Sequence, residues 1–477
     1  MIAFGTTSLR ACAPTLLLAV LLGATLVAAH GDDGEMAGMA MDGAGTLPEE
    51  AKYFHWPDQS MGWALRVHLV LCIVSHVIFL PVALVMAVAR HRFSPLVQLA
   101  GAAVGLLGIV FGWVNGSLGN AYARFGWFML CLLAIQTAAN LCFTMNIVKR
   151  TPKRDIAYWT VGLAQLVFTY MAMVLGVVRY LNLCSHGHLG QCISHLARGS
   201  ALIIGSVVLL VFIRIFGPVM LDIRRPPELY ASIIMMTVGL IGTFTEHNFF
   251  QSVDNAQEDW SHKDLQHTMI GISWFAGGLL GVLMTCRSHP RFRTPIPSII
   301  FIATGISMII HQQDVAMASR VHFLFGTAQV LLGLSTICEI TLVASGFVKD
   351  RGEPPLFQYV PLFFMCASGI ALMGANRDMV FFLVNEGVDV STYALTLLSF
   401  CFVIVFYFYL LVDLYHWLAG TTLAKYNTIE EEYLESDSSW LDREDELRRK
   451  RHSTSSQTST LNHSESGENL TPQSFAV

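Results

Sequence analysis

The sequence predicts an all-α fold: a polytopic transmembrane helix bundle of about 11 spans behind a cleaved signal peptide. Three observations carry this expectation. Hydrophobic residues make up 54% of the 477-residue chain and charged residues only 13%, about half the charge of an average soluble domain. Windows of about 20 mostly apolar residues, the length that crosses a bilayer core, recur along the chain. Lys and Arg are concentrated in short segments between alternate windows. The formal net charge of −5 therefore describes no binding face, and nucleic-acid binding has no support in the composition.

Residues 1–29 hold Arg10, the apolar run "APTLLLAVLLGATLV" and small residues up to Ala29, the layout of a secretory signal. At roughly 15 residues the run is short for a span; an uncleaved signal anchor is the alternative reading. Cleavage after Ala29 makes His30 the mature amino terminus. The segment 30–60 follows as a lumenal tail, "HGDDGEMAGMAMDG" at its head. The thioethers of Met36, Met39 and Met41 are soft ligands suited to Cu(I). His30 would add an α-amino group and an imidazole, and Asp32, Asp33 and Glu35 add charge. The tail reads as accessory to a metal role.

Apolar windows lie near 64–89, 95–114, 124–148, 156–181, 198–222, 229–250, 266–286, 297–312, 320–345, 355–375 and 392–418. The first three form a membrane domain at 61–150, and the other eight form a second at 155–420. Cytoplasmic loops hold the excess of Lys and Arg. Alternate loops carry Arg90 and Arg92; Lys149, Arg150, Lys153 and Arg154; Arg224 and Arg225; Arg287, Arg291 and Arg293; Lys349 and Arg351; and finally "RRKR" at 448–451. This pattern predicts a lumenal or extracellular amino terminus and a cytosolic carboxyl terminus on a secretory-pathway membrane. Cys184 and Cys192 fall in an outer loop, where a disulfide persists. Residues 421–477 are rich in Ser, Thr and charge and too poor in apolar residues to form a core. They read as a disordered cytosolic tail, with "YNTI" at 426–429 as a sorting signal and "HSTSSQTST" as a phosphorylation region.

His247 and His311 end windows, whereas His267 and His322 begin them, and hairpin order puts all four at the outer membrane face. Ionisable groups in spans are costly and turn toward a bundle interior or cavity. The four are therefore the leading site candidate, with chemistry suited to copper or zinc. Two imidazoles on facing helices could instead hold a haem iron. The bland alternative is that interfacial histidines bond only to backbone, water and lipid headgroups.

The strings "EHNFFQSVDNAQEDWSHKDLQHTMIGISWFAGGLLG" and "ISMIIHQQDVAMASRVHFLFG" resemble the fungal Ytp (yeast putative transmembrane protein) family. The likeness extends over nearly all of residues 30–420 and implies an architecture more than an activity. "LQHTMI" and "HQQDVAMASRVH" are also similar to a His-bearing hairpin of animal TMEM-class proteins. The first three windows resemble diheme b-type cytochromes, in which a first-helix His precedes a Pro by thirteen residues, as His68 precedes Pro81. The next two haem positions are occupied here by Ser94 and Tyr122, and neither side chain replaces imidazole. His68 and His76 are the remaining haem candidates in that half.

Three function classes follow. The first is a non-enzymatic membrane protein that binds, senses or moves a transition metal through lumenal histidines. The second is a membrane oxidoreductase with one retained haem, and the third is a structural or trafficking component without a small-molecule site.

Overall fold

The protein's structure, a computed structural model, describes residues 62–114, 121–184, 189–220, 226–245, 260, 262–287, 293–311, 313, 315–344 and 356–420. The signal segment, the 30–60 tail and the tail beyond 420 lie outside the described residues. Every regular element among the described residues is a helix. In chain order these are α1 (Trp63–Val88), α2 (Ser94–Val114), α3 (Ala121–Thr144), α4 (Pro152–Tyr180), α5 (Leu189–Met220) and α6 (Pro227–Thr245). They continue with α7 (His262–Arg287), α8 (Ile296–Ile309), α9 (Ala316–Ala344), α10 (Tyr359–Gly374), α11 (Arg377–Asn385) and α12 (Val390–Ala419).

Each apolar window holds a helix, yet not every one is of spanning length. Among the described residues nine helices are long and apolar enough to cross a membrane, or ten if α10 and α11 form one span bent by 73°. Helix α8 has only 14 residues, about 21 Å at the α-helical rise, against a core of about 30 Å. It starts at the proline pair Pro295 and Pro297 and stops just before His311. Helix α10 ends at Gly374, and the Asn376 side chain accepts from the backbone N–H of Asp378 and Met379 to start α11, a cap that sets the bend.

The bundle is inside-out relative to a soluble protein. Large apolar side chains such as Ile135, Phe244, Leu395 and Phe406 face outward, while Gln98, Gln136, Asn140, Gln165 and Gln329 are buried. In lipid there is no hydrophobic drive between helices, so small residues and hydrogen bonds make the contacts. Helix α1 lays His68, Cys72, Ser75 and Phe79 against Gly112, Gly108, Gly105 and Gly101 of α2. Helices α2, α3 and α4 pack in succession, and α4 returns to α1. In the second half α6 packs on α7, α7 on α8, α8 on α9, α9 on α10 and α10 on α5; α12 lies against α10, α5 and α1.

The contact of α12 with α1 has a local cause. Pro81 has no N–H, so the carbonyl of Val77, four residues earlier, loses its α-helical donor. Residues Val74–Phe79 wind as a π-helix there, and the Tyr407 hydroxyl of α12 donates to the Val77 carbonyl. At another point of the second half, Arg293 forks between two buried carboxylates. Its Nε donates to Glu228 Oε1 at 2.8 Å, and its Nη1 and Nη2 donate to the two oxygens of Glu339 at 2.8 and 2.7 Å. Burial works against the guanidinium charge, and the bonds to Glu339 and Glu228 outweigh it, raising the Arg293 pKa. One side chain thereby ties the start of α6, the approach to α8 and the end of α9.

Two outcomes test these joints. Tyr407→Phe is expected to lower stability by about 1–3 kcal/mol, the cost of an orphaned buried carbonyl, read as a lower midpoint of thermal unfolding in detergent. The loss should shrink in a Pro81→Ala background, and a cycle with no coupling would refute the link. Arg293→Met should cost about 3–5 kcal/mol because two carboxylates stay buried without their cation; a midpoint within a degree of wild type would contradict that.

Candidate metal centre

Three long helices begin at the end of the bundle where α8 stops. His195 sits in the second turn of α5, His267 in the second turn of α7 and His322 in the second turn of α9, while His311 directly follows α8. Their rings form one connected group. Centroids are 5.3 Å apart for His267 and His311, 5.6 Å for His311 and His322, and 6.0 Å for His322 and His195. His322, His311 and His195 are 2%, 4% and 7% exposed, so this is an interior polar group.

The sequence pattern that places them is a glycine four residues after each helical histidine, in "HLARG", "HTMIG" and "HFLFG". Residues i and i+4 share a helix face, so each glycine lies one turn beneath its imidazole. All three stand at helix crossings. A Cβ on Gly199 would come within 2.6 Å of the Gly369 carbonyl of α10, one on Gly271 within 2.7 Å of the Thr243 nitrogen of α6, and one on Gly326 within 2.5 Å of the Gly305 carbonyl of α8. Close backbone approach at these points draws the histidine faces together.

The hydrogen bonds assign the imidazole nitrogens. His195 Nδ1 lies 2.9 Å from the Gln191 carbonyl and His322 Nδ1 lies 2.8 Å from the Ala318 carbonyl. A carbonyl only accepts, so both Nδ1 atoms carry the proton and both Nε2 atoms keep the lone pair. His311 Nδ1 meets Gln266 Oε1. The Gln266 amide is oriented because its Nε2 donates to the Ser307 carbonyl at 3.1 Å and to Ser307 Oγ at 3.0 Å. His311 is therefore also an Nδ1 donor with an Nε2 lone pair. Metal-binding histidines show this arrangement, one ring nitrogen fixed by an outer hydrogen bond and the other presented to the ion.

The same region is held from the side by a disulfide between Cys184 and Cys192, with Cα atoms 5.4 Å apart. The Cys184 N–H donates to Asp378 Oδ2 at 2.6 Å, and Asn376 Nδ2 donates to Cys192 Sγ at 2.9 Å. The start of α5, and with it His195, is pinned to the bend between α10 and α11. Arg198, one turn beyond His195, extends toward Gly242 of α6.

Of the histidines expected at this level, His267, His311 and His322 come together, and His247 lies outside the described residues, as do His30, Met36, Met39 and Met41. His195 joins the group although the sequence placed it in a loop. The span was expected to open near residue 198, and α5 opens at Leu189; the polar residues of its first turns depress the local hydropathy. Gln266 was missed. The repeated His-x3-Gly spacing was the signal that could have put His195 on a helix beside the others. His68 and His76 belong to a different contact: His68 Nδ1 donates to the Gly108 carbonyl at 2.7 Å, and the His76 ring packs on Gly105. Among the described residues, no three His, Cys, Asp or Glu side chains stand converged as an assembled metal site.

The sequence matches known protein families in two regions. Residues 168–416 match the family described as Protein YTP1-like, C-terminal, and residues 49–146 match a domain of unknown function, DUF2427. The first match spans more than half of the chain. The protein belongs to the Ytp1-like family. Protein YTP1 of Saccharomyces cerevisiae is 31% identical over 283 residues, 57% of this chain and 58% of that protein. An uncharacterized membrane protein of Schizosaccharomyces pombe is 21% identical over 183 residues, 32% of this chain and 34% of that protein. The match thus covers less than two thirds of the length of either relative. No solved structure matches. The chain is a multi-pass integral membrane protein, and His195, His267, His311 and His322 all fall inside the family's matched region.

A single methyl group tests the role of the crossings. Gly326→Ala should cost about 1–3 kcal/mol through overpacking against the Gly305 carbonyl. Gly126→Ala, with nothing within 4 Å of the added carbon, should leave the thermal midpoint unchanged or raise it. Equal midpoints for the two variants would show that the crossing tolerates a side chain.

Proposed function

We propose that this protein binds a transition metal ion, copper or zinc, through the imidazoles of His195, His267, His311 and His322. The observation that carries the reading is the three Nδ1 contacts, to the Gln191 carbonyl, Gln266 Oε1 and the Ala318 carbonyl: each partner accepts, so a neutral ring there turns its Nε2 lone pair to the ion. Tetrahedral zinc–imidazole bonds of about 2.0–2.1 Å put neighbouring ring centroids about 5 Å apart. Spacings of 5.3–6.0 Å need only modest ring rotations to meet that geometry. The helix amino termini and Arg198 lie close by, and their positive potential repels a dication. A monovalent copper ion, or a dication that brings an anionic ligand, suits the site best.

The site faces the lumenal or extracellular side in this reading. Support comes from the basic segments between alternate spans and from the cystine at the start of α5, which belongs on the oxidising side. The bundle of about 11 helical crossings then includes α8 and the bent α10–α11 pair as partial spans. The Met-rich tail after His30 lies on the same side and would raise the local supply of soft-metal ions.

Elemental analysis of purified protein tests the site. Wild type should retain close to one copper or zinc per chain after dialysis, and a His195→Ala/His322→Ala variant should retain less than a tenth as much. Equal metal content in the two would end the proposal.

A further inference from the structure

The buried face of α4 is built from Asp155, Tyr158, Gly162, Gln165 and Thr169. Steps of three and four residues keep these on one side of the helix, and none of them is aliphatic. Leu80, Leu84 and Leu133 pack on Tyr158 from one side, and polar side chains of α2 and α3 meet the face from the other. Helix α3 buries Gln136, Thr137 and Asn140, and α2 buries Ser94 and Gln98. Ser94 Oγ donates to Asn140 Oδ1 at 3.2 Å and Asn140 Nδ2 donates to Gln98 Oε1 at 2.9 Å. The Tyr158 hydroxyl donates to the same Gln98 oxygen at 3.4 Å, and Gln136 Nε2 approaches the Tyr158 carbonyl at 3.5 Å. Gly162 admits the Gln136 amide against the α4 backbone, since a Cβ there would lie 2.6 Å from its Nε2.

These bonds do not use the cluster's full capacity. Gln98 Nε2, Gln136 Oε1 and both amide ends of Gln165 are buried atoms with no hydrogen-bond partner among the described residues. Gln98 and Gln165 are 0% exposed and Gln136 is 2% exposed. In a lipid-embedded bundle such groups are expensive to leave unmade, and a protein that merely needed packing would carry leucine at these positions. The orphan set contains donors and acceptors and no charge. That is the complement of water, which makes about three hydrogen bonds at a buried site. It does not suit an ion, whose charge would meet no opposite charge inward of Asp155. Asp155 itself, 3.8 Å from Arg90 and 3.7 Å from Arg150, stands where α4 begins. From there to Thr169 the face runs about 21 Å along the helix, two-thirds of a bilayer core.

We propose that the α2–α3–α4 seam is a hydration site: Gln98, Gln136 and Gln165 hold water molecules inside the amino-terminal bundle, admitted from the Asp155 end. The seam is thereby a polar inlet for water and for small neutral solutes of the same hydrogen-bonding character. It is separate from the histidine group and independent of metal binding.

Radiolytic labelling of the full-length protein in detergent, with a pulse of oxygen-18 water, reads this directly. Tyr158 and Tyr393 are comparably buried, at 5% and 7%, and both hydroxyls are bonded within the protein. Tyr158 should take up oxygen-18 several-fold faster than Tyr393. In Gln98→Leu/Gln165→Leu the Tyr158 rate should fall about tenfold, toward that of a dry interior, with Tyr393 unchanged. Each single variant should give part of that fall. A Tyr158 rate no higher than that of Tyr393 in wild type would overturn the proposal, and so would a Tyr158 rate that the leucine substitutions leave unaltered.

Discussion

Close backbone approach at glycines is the constraint on which the carboxy-terminal bundle depends. Lipid offers helices no hydrophobic reason to associate, so contact must come from packing and hydrogen bonding. Gly199 against Gly369, Gly271 against Thr243 and Gly326 against Gly305 supply that contact. Because each lies one turn from a histidine, the crossings that assemble the bundle also assemble the imidazoles. Packing and site are therefore one design: a methyl group that loosens a crossing also displaces a ring.

The rest of the architecture secures that arrangement from its edges. The cystine at Cys184 and Cys192, bonded to Asn376 and Asp378, fixes where α5 begins. Arg293 clamps α6 and α9 at Glu228 and Glu339. Tyr407 joins the two halves by donating to a carbonyl that Pro81 leaves without its usual donor. In each case a polar group in a low-dielectric setting finds a partner distant in sequence, and the cost of leaving it unpaired specifies the partner. The amide seam of α2, α3 and α4 departs from that rule, and that departure gives it chemical interest.

Much of this was legible in the residues. Apolar windows and basic loops located the helices, and the "SHKDLQHT" and "RVHF" strings drew attention to His267 and His322. His195 was read as an outer-loop histidine, apart from the group of four, because polar residues in the first turns of α5 lowered the hydropathy of a segment that is nevertheless helical. The short α8 and α10 were each read as a whole span, and α11 fell between two windows, for the complementary reason. Composition measures how apolar a window is, not where a proline or an asparagine cap ends the helix. Gln266 was invisible because its role is to orient a neighbour on another helix.

The sequence by itself determined the class of protein, the approximate positions of its long apolar helices and the family resemblance. These depend on local sums of hydropathy and on short strings that need no partner. Only the tertiary structure decided which histidines meet, which nitrogen each presents and which amides remain unsatisfied. Those outcomes depend on helix rotation and crossing, set by pairs such as Gly199 with Gly369 and Tyr407 with Val77 that lie more than a hundred residues apart. No local property of the chain encodes such pairs.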